Sequence, residues 1–223
     1  MIDIAILGFG VVGGGVAEVI TMNSEKINAH LGEELRVKKI LDLREFPDSP
    51  YGDRVVHDID TIVDDPEIEI VCETMGGAHP AYEFSVKAME HGISVVTSNK
   101  EVDATYGDKL LAIADENNVS YLFEASVGGG IPLIRPFSTS LSHENIVSVS
   151  GILNGTTNFI LDAMHTHGSD FAEVLAEAQR LGYAEADPSA DIDGLDIQRK
   201  CIISANVAFD ALVTEEDIPM FGI

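Results

Sequence analysis

The densest chemistry in this chain lies between Ala178 and Lys200. The run AQRLGYAEADPSADIDGLDIQRK carries Glu185, Asp187, Asp191, Asp193 and Asp196, followed by Arg199 and Lys200. The pattern predicts a helix over 193–210, on which Asp196 and Lys200 stand four residues apart and share one face. A lysine held by carboxylates stays protonated in a cleft and can give its proton to a developing alkoxide. Pro188 and Gly194 fix the loop that presents Glu185 and Asp191. Two other readings compete. DPSADIDG is rich in oxygen donors, as a calcium loop is, but it lacks the spacing and distal glutamate of an EF-hand. The run could also be a solvated acidic loop with a surface ion pair.

A second lysine stands at an informative place. Thr97-Ser98-Asn99-Lys100 follows directly on an apolar stretch, Ile93–Thr97. In an open α/β sheet, ligands bind beyond the carboxyl ends of the strands, so Lys100 is placed to face one. The third feature is Gly8-Phe9-Gly10-Val11-Val12-Gly13, between an apolar strand and an apolar-periodic helix. In that context Gly8 permits a tight turn, Gly10 lets a pyrophosphate approach the backbone, and Gly13 allows close helix–strand packing. The exposed amides at the helix start attract phosphates. A dinucleotide of the NAD or NADP type is therefore expected at Gly8, Phe9, Gly10, Val11, Val12 and Gly13. Which of the two stays open, because the second strand ends at Asp42-Leu43-Arg44. Asp42 could accept from a ribose hydroxyl, favouring NAD; Arg44 could pair with a 2′-phosphate, favouring NADP.

The elements that must position these groups follow from periodicity. Strands are predicted at 2–7, 36–41, 68–72, 93–97 and 119–123, alternating with helices after Gly10, at 80–90 and at 104–116. Such alternation implies an α/β fold: a Rossmann-type parallel sheet wound with right-handed crossovers. Near residue 130 the texture changes at GGGIP. A strand is predicted at 145–153 and helices at 156–165, 170–181 and 193–210. The expected organisation is a dinucleotide-binding domain over 1–130 and an α+β domain over 131–223 for substrate binding, catalysis and dimerisation.

Composition narrows the partners. The 223 residues include 38 acids and 13 bases, a formal net charge of −25. A nucleic-acid binder or an anionic-membrane binder needs a basic footprint that this chain lacks. The 45% hydrophobic content argues against disorder. No stretch approaches a membrane span, and no signal peptide is visible, so a cytoplasmic location is expected. Two cysteines, Cys72 and Cys201, cannot make a disulfide framework and are expected to be buried free thiols. A cysteine nucleophile for aldehyde oxidation would need an electropositive thiolate site, which neither neighbourhood suggests.

The motifs together resemble those of homoserine dehydrogenases. The resemblance rests on the run from Ala178 through Gly182-Tyr183, Asp187-Pro188, Asp191-Ile192, Gly194 and Asp196 to Lys200. It extends to GFGVVGGGV at 8–16, TSNKE at 97–101, EASVGGGIP at 124–132 and GILNGTTNFIL at 151–161. It implies NAD(P)-dependent interconversion of L-homoserine and L-aspartate 4-semialdehyde, a step towards threonine, methionine and isoleucine. It places the proton-donor lysine at Lys200 and a second functional lysine, near cofactor and substrate, at Lys100. It puts the ligand of the substrate amino group at Glu185 and further acidic site residues at Asp191 and Asp196. Gly182 would lie beside the nicotinamide. Backbone carbonyls of Glu124, Val127, Gly129 and Ile131 would hold a monovalent cation, sodium, in a structural role. A homodimer is also implied. Family members continue well past the position of Ile223 with a stretch that completes the dimer interface. The alternative expectation is therefore a nucleotide-binding fragment without turnover.

Overall fold

The computed structural model describes all 223 residues. The chain divides into two compact units, Met1–Gly129 and Gly130–Ile223.

The first unit starts with β1 (Ile2–Leu7), α1 (Val11–Met22), α2 (Ser24–Leu31) and β2 (Leu35–Leu41). A 3-10 turn (Gly52–Arg54) leads to β3 (Val55–Val56), α3 (Asp60–Val63), β4 (Ile68–Glu73) and α4 (Ala81–Glu90). The unit ends with β5 (Ser94–Thr97), α5 (Lys100–Glu116), β6 (Tyr121–Leu122) and the one-turn helix α6 (Ala125–Gly128). The six strands are parallel, in the order β3-β2-β1-β4-β5-β6. This is the expected doubly wound α/β sheet, with the change of winding direction between β1 and β4. β1 is buried on both faces, as a central parallel strand must be. Ala5 and Leu7 join one apolar cluster with Val71, Val95, Met89 and Leu110, while Ile4 and Ile6 join another with Ala17, Val37 and Ile40.

Boundaries shift from the sequence expectation where capping or pairing decides them. The helix expected from 104 begins at Lys100, because the Asn99 side chain caps it by accepting from Val102 N. The strand expected over 119–123 pairs only at Tyr121–Leu122. The long stretch after α1 is filled by α2, which ends at Gly32 in the left-handed conformation.

The second unit holds α7 (Gly155–His167), α8 (Phe171–Leu181), the short α9 (Ser189–Ile192) and α10 (Leu195–Phe209). α7 and α8 pack through Ile160, Val174 and Ala178, with Ala184 closing the cluster. The strand expected at 145–153 is not formed: the segment runs without a strand partner, and Val147 and Ile152 are exposed. A strand is defined by the neighbour that takes its N–H and C=O groups, and the only sheet belongs to the first unit. The second unit is thus helical where an α+β arrangement was expected. After α10 the chain returns over the α9–α10 junction, where Ile223 N donates to Ile192 O at 3.0 Å and Gln198 Nε2 donates to the carbonyls of Glu215 and Ile218.

The cysteines differ from expectation. Cys72 in β4 is only partly exposed, and burial pushes its thiol up to about 11. Cys201 is exposed, because the inward face of α10 is taken by Asp196, Gln198, Ile202 and Ile203. No helix is long and apolar enough to cross a membrane.

Candidate active site

The glycine turn sits where the sheet changes winding direction, at the carboxyl end of β1. Gly8 has a φ of +89°, and its N–H donates to Leu41 O at 2.8 Å. A Cβ on Gly13 would lie 2.0 Å from Gly8 O and 2.8 Å from Thr74 Oγ1, so α1 reaches its closest approach to β1 there. A Cβ on Gly10 would meet nothing within 4 Å. That open space, beside a helix start that no side chain caps, is the cradle a pyrophosphate needs. Val11 is 95% exposed and Val12 also faces outward, leaving the first-turn amides approachable.

Just beyond the end of β2, Asp42 and Arg44 form one unit. Asp42 Oδ2 accepts from Phe9 N at 2.8 Å and Arg44 Nη2 at 2.9 Å; Oδ1 accepts from Arg44 N and Arg44 Nε, both at 2.9 Å. The Arg44 guanidinium, with these backbone amides, holds the Asp42 carboxyl well below the usual carboxylate range. Four donors saturate the four acceptor sites of the carboxylate. The Arg44 side chain remains 63% exposed, over the Phe46 ring at 5.1 Å. Behind it, His57 Nδ1 faces Asp42 O at 2.7 Å and Nε2 faces Glu45 at 2.8 Å.

Lys100 opens α5 directly beyond β5. The turn that carries it is built on a buried carboxylate: Glu73, at the end of β4, accepts from Thr97 Oγ1 at 2.6 Å and Met75 N at 2.7 Å. Asn99 N donates to Thr97 Oγ1, and Asn99 Nδ2 donates to Gly77 O at 2.8 Å. Burial pushes the Glu73 carboxyl up, against these hydrogen bonds. One turn further along α5, Asp103 accepts from Tyr121 Oη at 2.6 Å and from Ser126 Oγ. Burial raises its carboxyl to about 7. Ser126 lies in α6, so Asp103 ties α5, β6 and α6 together.

Of the residues singled out for the cation, Glu124 precedes α6, Val127 is buried within it and Gly129 leaves it at a φ of +59°. The carbonyls of so short a helix have no full set of intrahelical donors. Ile131 is exposed and lies in the second unit, which starts at Gly130. No group of three or more His, Cys, Asp or Glu stands ready to hold a metal through side chains.

In the second unit the structure gathers Lys200, Asp196 and Asp191. Lys200 Nζ pairs with Asp196 Oδ2 at 2.9 Å and donates to Leu153 O at 2.8 Å. Asn154 Nδ2 donates to Asp191 Oδ1 at 2.6 Å and to Asp196 Oδ2 at 2.8 Å. Asp196 and Asn154 are buried, and Lys200 is partly so. Glu185 is not part of this network; it lies on an exposed turn, tied through its backbone carbonyl to Gln179 Nε2. Gly182 ends α8 in the left-handed conformation, φ +80°. Asp187, read as a possible calcium ligand, instead accepts from Ser189 N at the start of α9. Asn154 and the Leu153 carbonyl were missed as site groups. The NGTT run signals a helix cap, and nothing in it points to acids 37 and 42 residues away.

Both units of the chain match known proteins. Residues 8–124 match the family model described as the NAD-binding domain of homoserine dehydrogenase, and residues 132–223 match the homoserine dehydrogenase model. The chain is 43% identical to a homoserine dehydrogenase of Synechocystis over all of its own length and 52% of the relative's. The crystal structure of a homoserine dehydrogenase from Thiobacillus denitrificans superposes with a TM-score of 0.92 at 41% identity, covering 100% of this chain and 52% of that one. A hyperthermophilic archaeal homoserine dehydrogenase mutant in complex with NADPH matches at a TM-score of 0.82 and 33% identity, over 94% of this chain and 70% of that one. The chain spans about half the length of the curated relatives it matches.

Proposed function

The chain belongs to the homoserine dehydrogenase family, and from that premise we propose that it takes part in the NAD(P)-dependent interconversion of L-homoserine and L-aspartate 4-semialdehyde. The observation that carries the reading is the Lys200 ammonium, aimed by Asp196 Oδ2 at 2.9 Å and Leu153 O at 2.8 Å. Those bonds use two of its three N–H directions and leave one for a substrate oxygen. The dinucleotide, when bound, supplies or accepts the hydride. Lys200 donates the proton that the aldehyde oxygen takes up as it becomes an alcohol, and recovers it in the reverse direction. Glu185, exposed and unengaged in the lysine network, binds the substrate ammonium, with Asp191 and Asp196 adding negative charge on the same side of the chemistry. Gly182, three residues before Glu185, is the glycine of this segment that the family resemblance assigns to cofactor binding.

The cofactor is cradled by Gly8, Phe9, Gly10, Val11, Val12 and Gly13, with Lys100 as a second positive group. The saturation of Asp42 supports NADP over NAD: its carboxylate has no acceptor site left for a ribose hydroxyl, whereas the exposed Arg44 can meet a 2′-phosphate. The carbonyls of Glu124, Val127 and Gly129 hold a sodium ion in a structural role. A homodimer is supported by the exposed apolar residues Val147 and Ile152 of the unpaired segment.

Mixing the protein with NADPH and aspartate semialdehyde, and following nicotinamide absorbance, tests the reading. Oxidation of the cofactor that depends on the semialdehyde is expected. A flat trace alongside measurable NADPH binding would make the chain a nucleotide-binding module without turnover.

A further inference from the structure

Asn154 is the common member of the hydrogen bonds that assemble the lysine site. Its Nδ2 serves both Asp191 and Asp196, while its Oδ1 accepts from Thr157 N at 2.8 Å and Thr157 Oγ1 at 2.9 Å. Both amide hydrogens and both carbonyl lone pairs are used, in a residue only 5% exposed. The preceding residue, Leu153, provides the carbonyl that Lys200 bonds. No strand pairing holds residues 145–153 upstream, and Ile152 is 78% exposed. The fixed point of that carbonyl is therefore Asn154, pinned to α7, α9 and α10 at once.

We propose that Asn154 is a positioning residue for the proton-donating Lys200, an inference that rests on the dehydrogenase reading above. Its amide does two things that another capping residue cannot. It bridges two carboxylates that would otherwise repel, one hydrogen to each. It also shares Asp196 Oδ2 with the ammonium, so the oxygen that aims Lys200 is itself held from the opposite side. Capping of α7 alone would not require asparagine, because aspartate and serine cap about as well. Aspartate would place a third carboxylate among the first two, and serine would take the amide hydrogens away from Asp191 and Asp196.

That difference separates positioning from capping. Asn154→Asp and Asn154→Ser both keep an oxygen for Thr157 N and lose the amide hydrogens. Two measurements are made on the full chain. The first is kcat/KM with NADPH and aspartate semialdehyde. The second is the ammonium resonance of Lys200 in protein labelled with 15N-lysine, identified by its absence in Lys200→Arg. Wild-type protein should show a distinct, slowly exchanging ammonium signal. Both variants should lose it to solvent exchange, with kcat/KM reduced about tenfold to a hundredfold and melting close to wild type. An ammonium signal unchanged in both variants overturns the proposal, whatever the kinetics, and leaves Asn154 a helix cap. Should Asn154→Asp fail to fold, Asn154→Ser is read alone. If the wild-type chain does not turn over yet the signal is lost in the variants, the positioning role stands and only the dehydrogenase reading falls.

Discussion

Lys200 and Arg44 each take their direction from an acid they pair with, Asp196 and Asp42. Lys200 is one of 13 bases in the chain, and its two bonds fix its direction rather than merely neutralise a surface acid. Lys200→Ala is expected to lower kcat by about a hundredfold to ten-thousandfold, the range for loss of a general acid, while NADPH binding persists. Stopped-flow turnover together with a fluorescence titration of NADPH checks both halves; near-normal turnover would sink the assignment. Arg44 is engaged on one side by Asp42 and open on the other. Arg44→Ala should weaken NADPH binding by about tenfold to a hundredfold, the worth of a charge-assisted hydrogen bond. It should spare NADH, since the released Asp42 carboxylate gains acceptor sites for ribose hydroxyls. Equal weakening of the two cofactors would remove the 2′-phosphate reading.

Elements, unlike single residues, are held by steric and buried polar contacts that substitutions can separate. Gly13 and Gly10 lie three residues apart in one motif with opposite surroundings. A Cβ at Gly13 collides with Gly8 O, so Gly13→Ala should cost about 1–3 kcal/mol of stability through overpacking between α1 and β1. Gly10→Ala meets open space, so melting of the free protein should hardly change while dinucleotide binding is lost. Calorimetric melting and cofactor titration of the pair test this, and a destabilised Gly10→Ala would contradict it. Asp103 provides the polar counterpart. Its folded carboxyl, raised to about 7, lies above the ordinary value of 3.8, so between those values the native state keeps a proton that the unfolded chain has released. Its contribution is full below that window and is lost as pH rises through 7. Asp103→Asn should therefore gain stability relative to wild type between pH 5 and pH 8, measured by urea denaturation at both. A constant difference would show that Asp103 does not titrate there. Legibility in the sequence followed the same division. The glycine turn, the α/β alternation and the Asp196–Lys200 pair were readable because each is set by near neighbours in the chain. The apolar run at 145–153 was misread because its period is strand-like while its partner strand is a property of the fold. Asn154 was missed because a cap signal covers only three residues, and its amide acts across 37 and 42.

At the scale of the molecule, a net charge of −25 has to coexist with the proposed binding of an anionic dinucleotide. In the proposed binding mode the field is countered locally, by the amides at the start of α1 and by placed bases, Arg44 and Lys100 among them. Many other bases are committed to ion pairs: Arg36 with Asp3 at 2.7 Å, Lys38 with Asp65 at 2.8 Å, and Lys39 with Asp65 at 2.7 Å. Two salt effects therefore oppose each other. Added salt weakens exposed ion pairs, each worth about 0–1 kcal/mol. It also screens the repulsion among acids that have no base to pair with, shortening the Debye length from about 10 Å at 0.1 M to about 3 Å at 1 M. With acids nearly three to one over bases, the repulsive pairs outnumber the attractive ones, and the second effect should win. The melting temperature is expected to rise steadily as KCl is raised towards about 1 M, where the screening length falls below the spacing of most surface charges. A melting temperature that falls with KCl would mean that pairs such as Arg36–Asp3 and Lys38–Asp65 hold the fold together more than the acid excess pushes it apart.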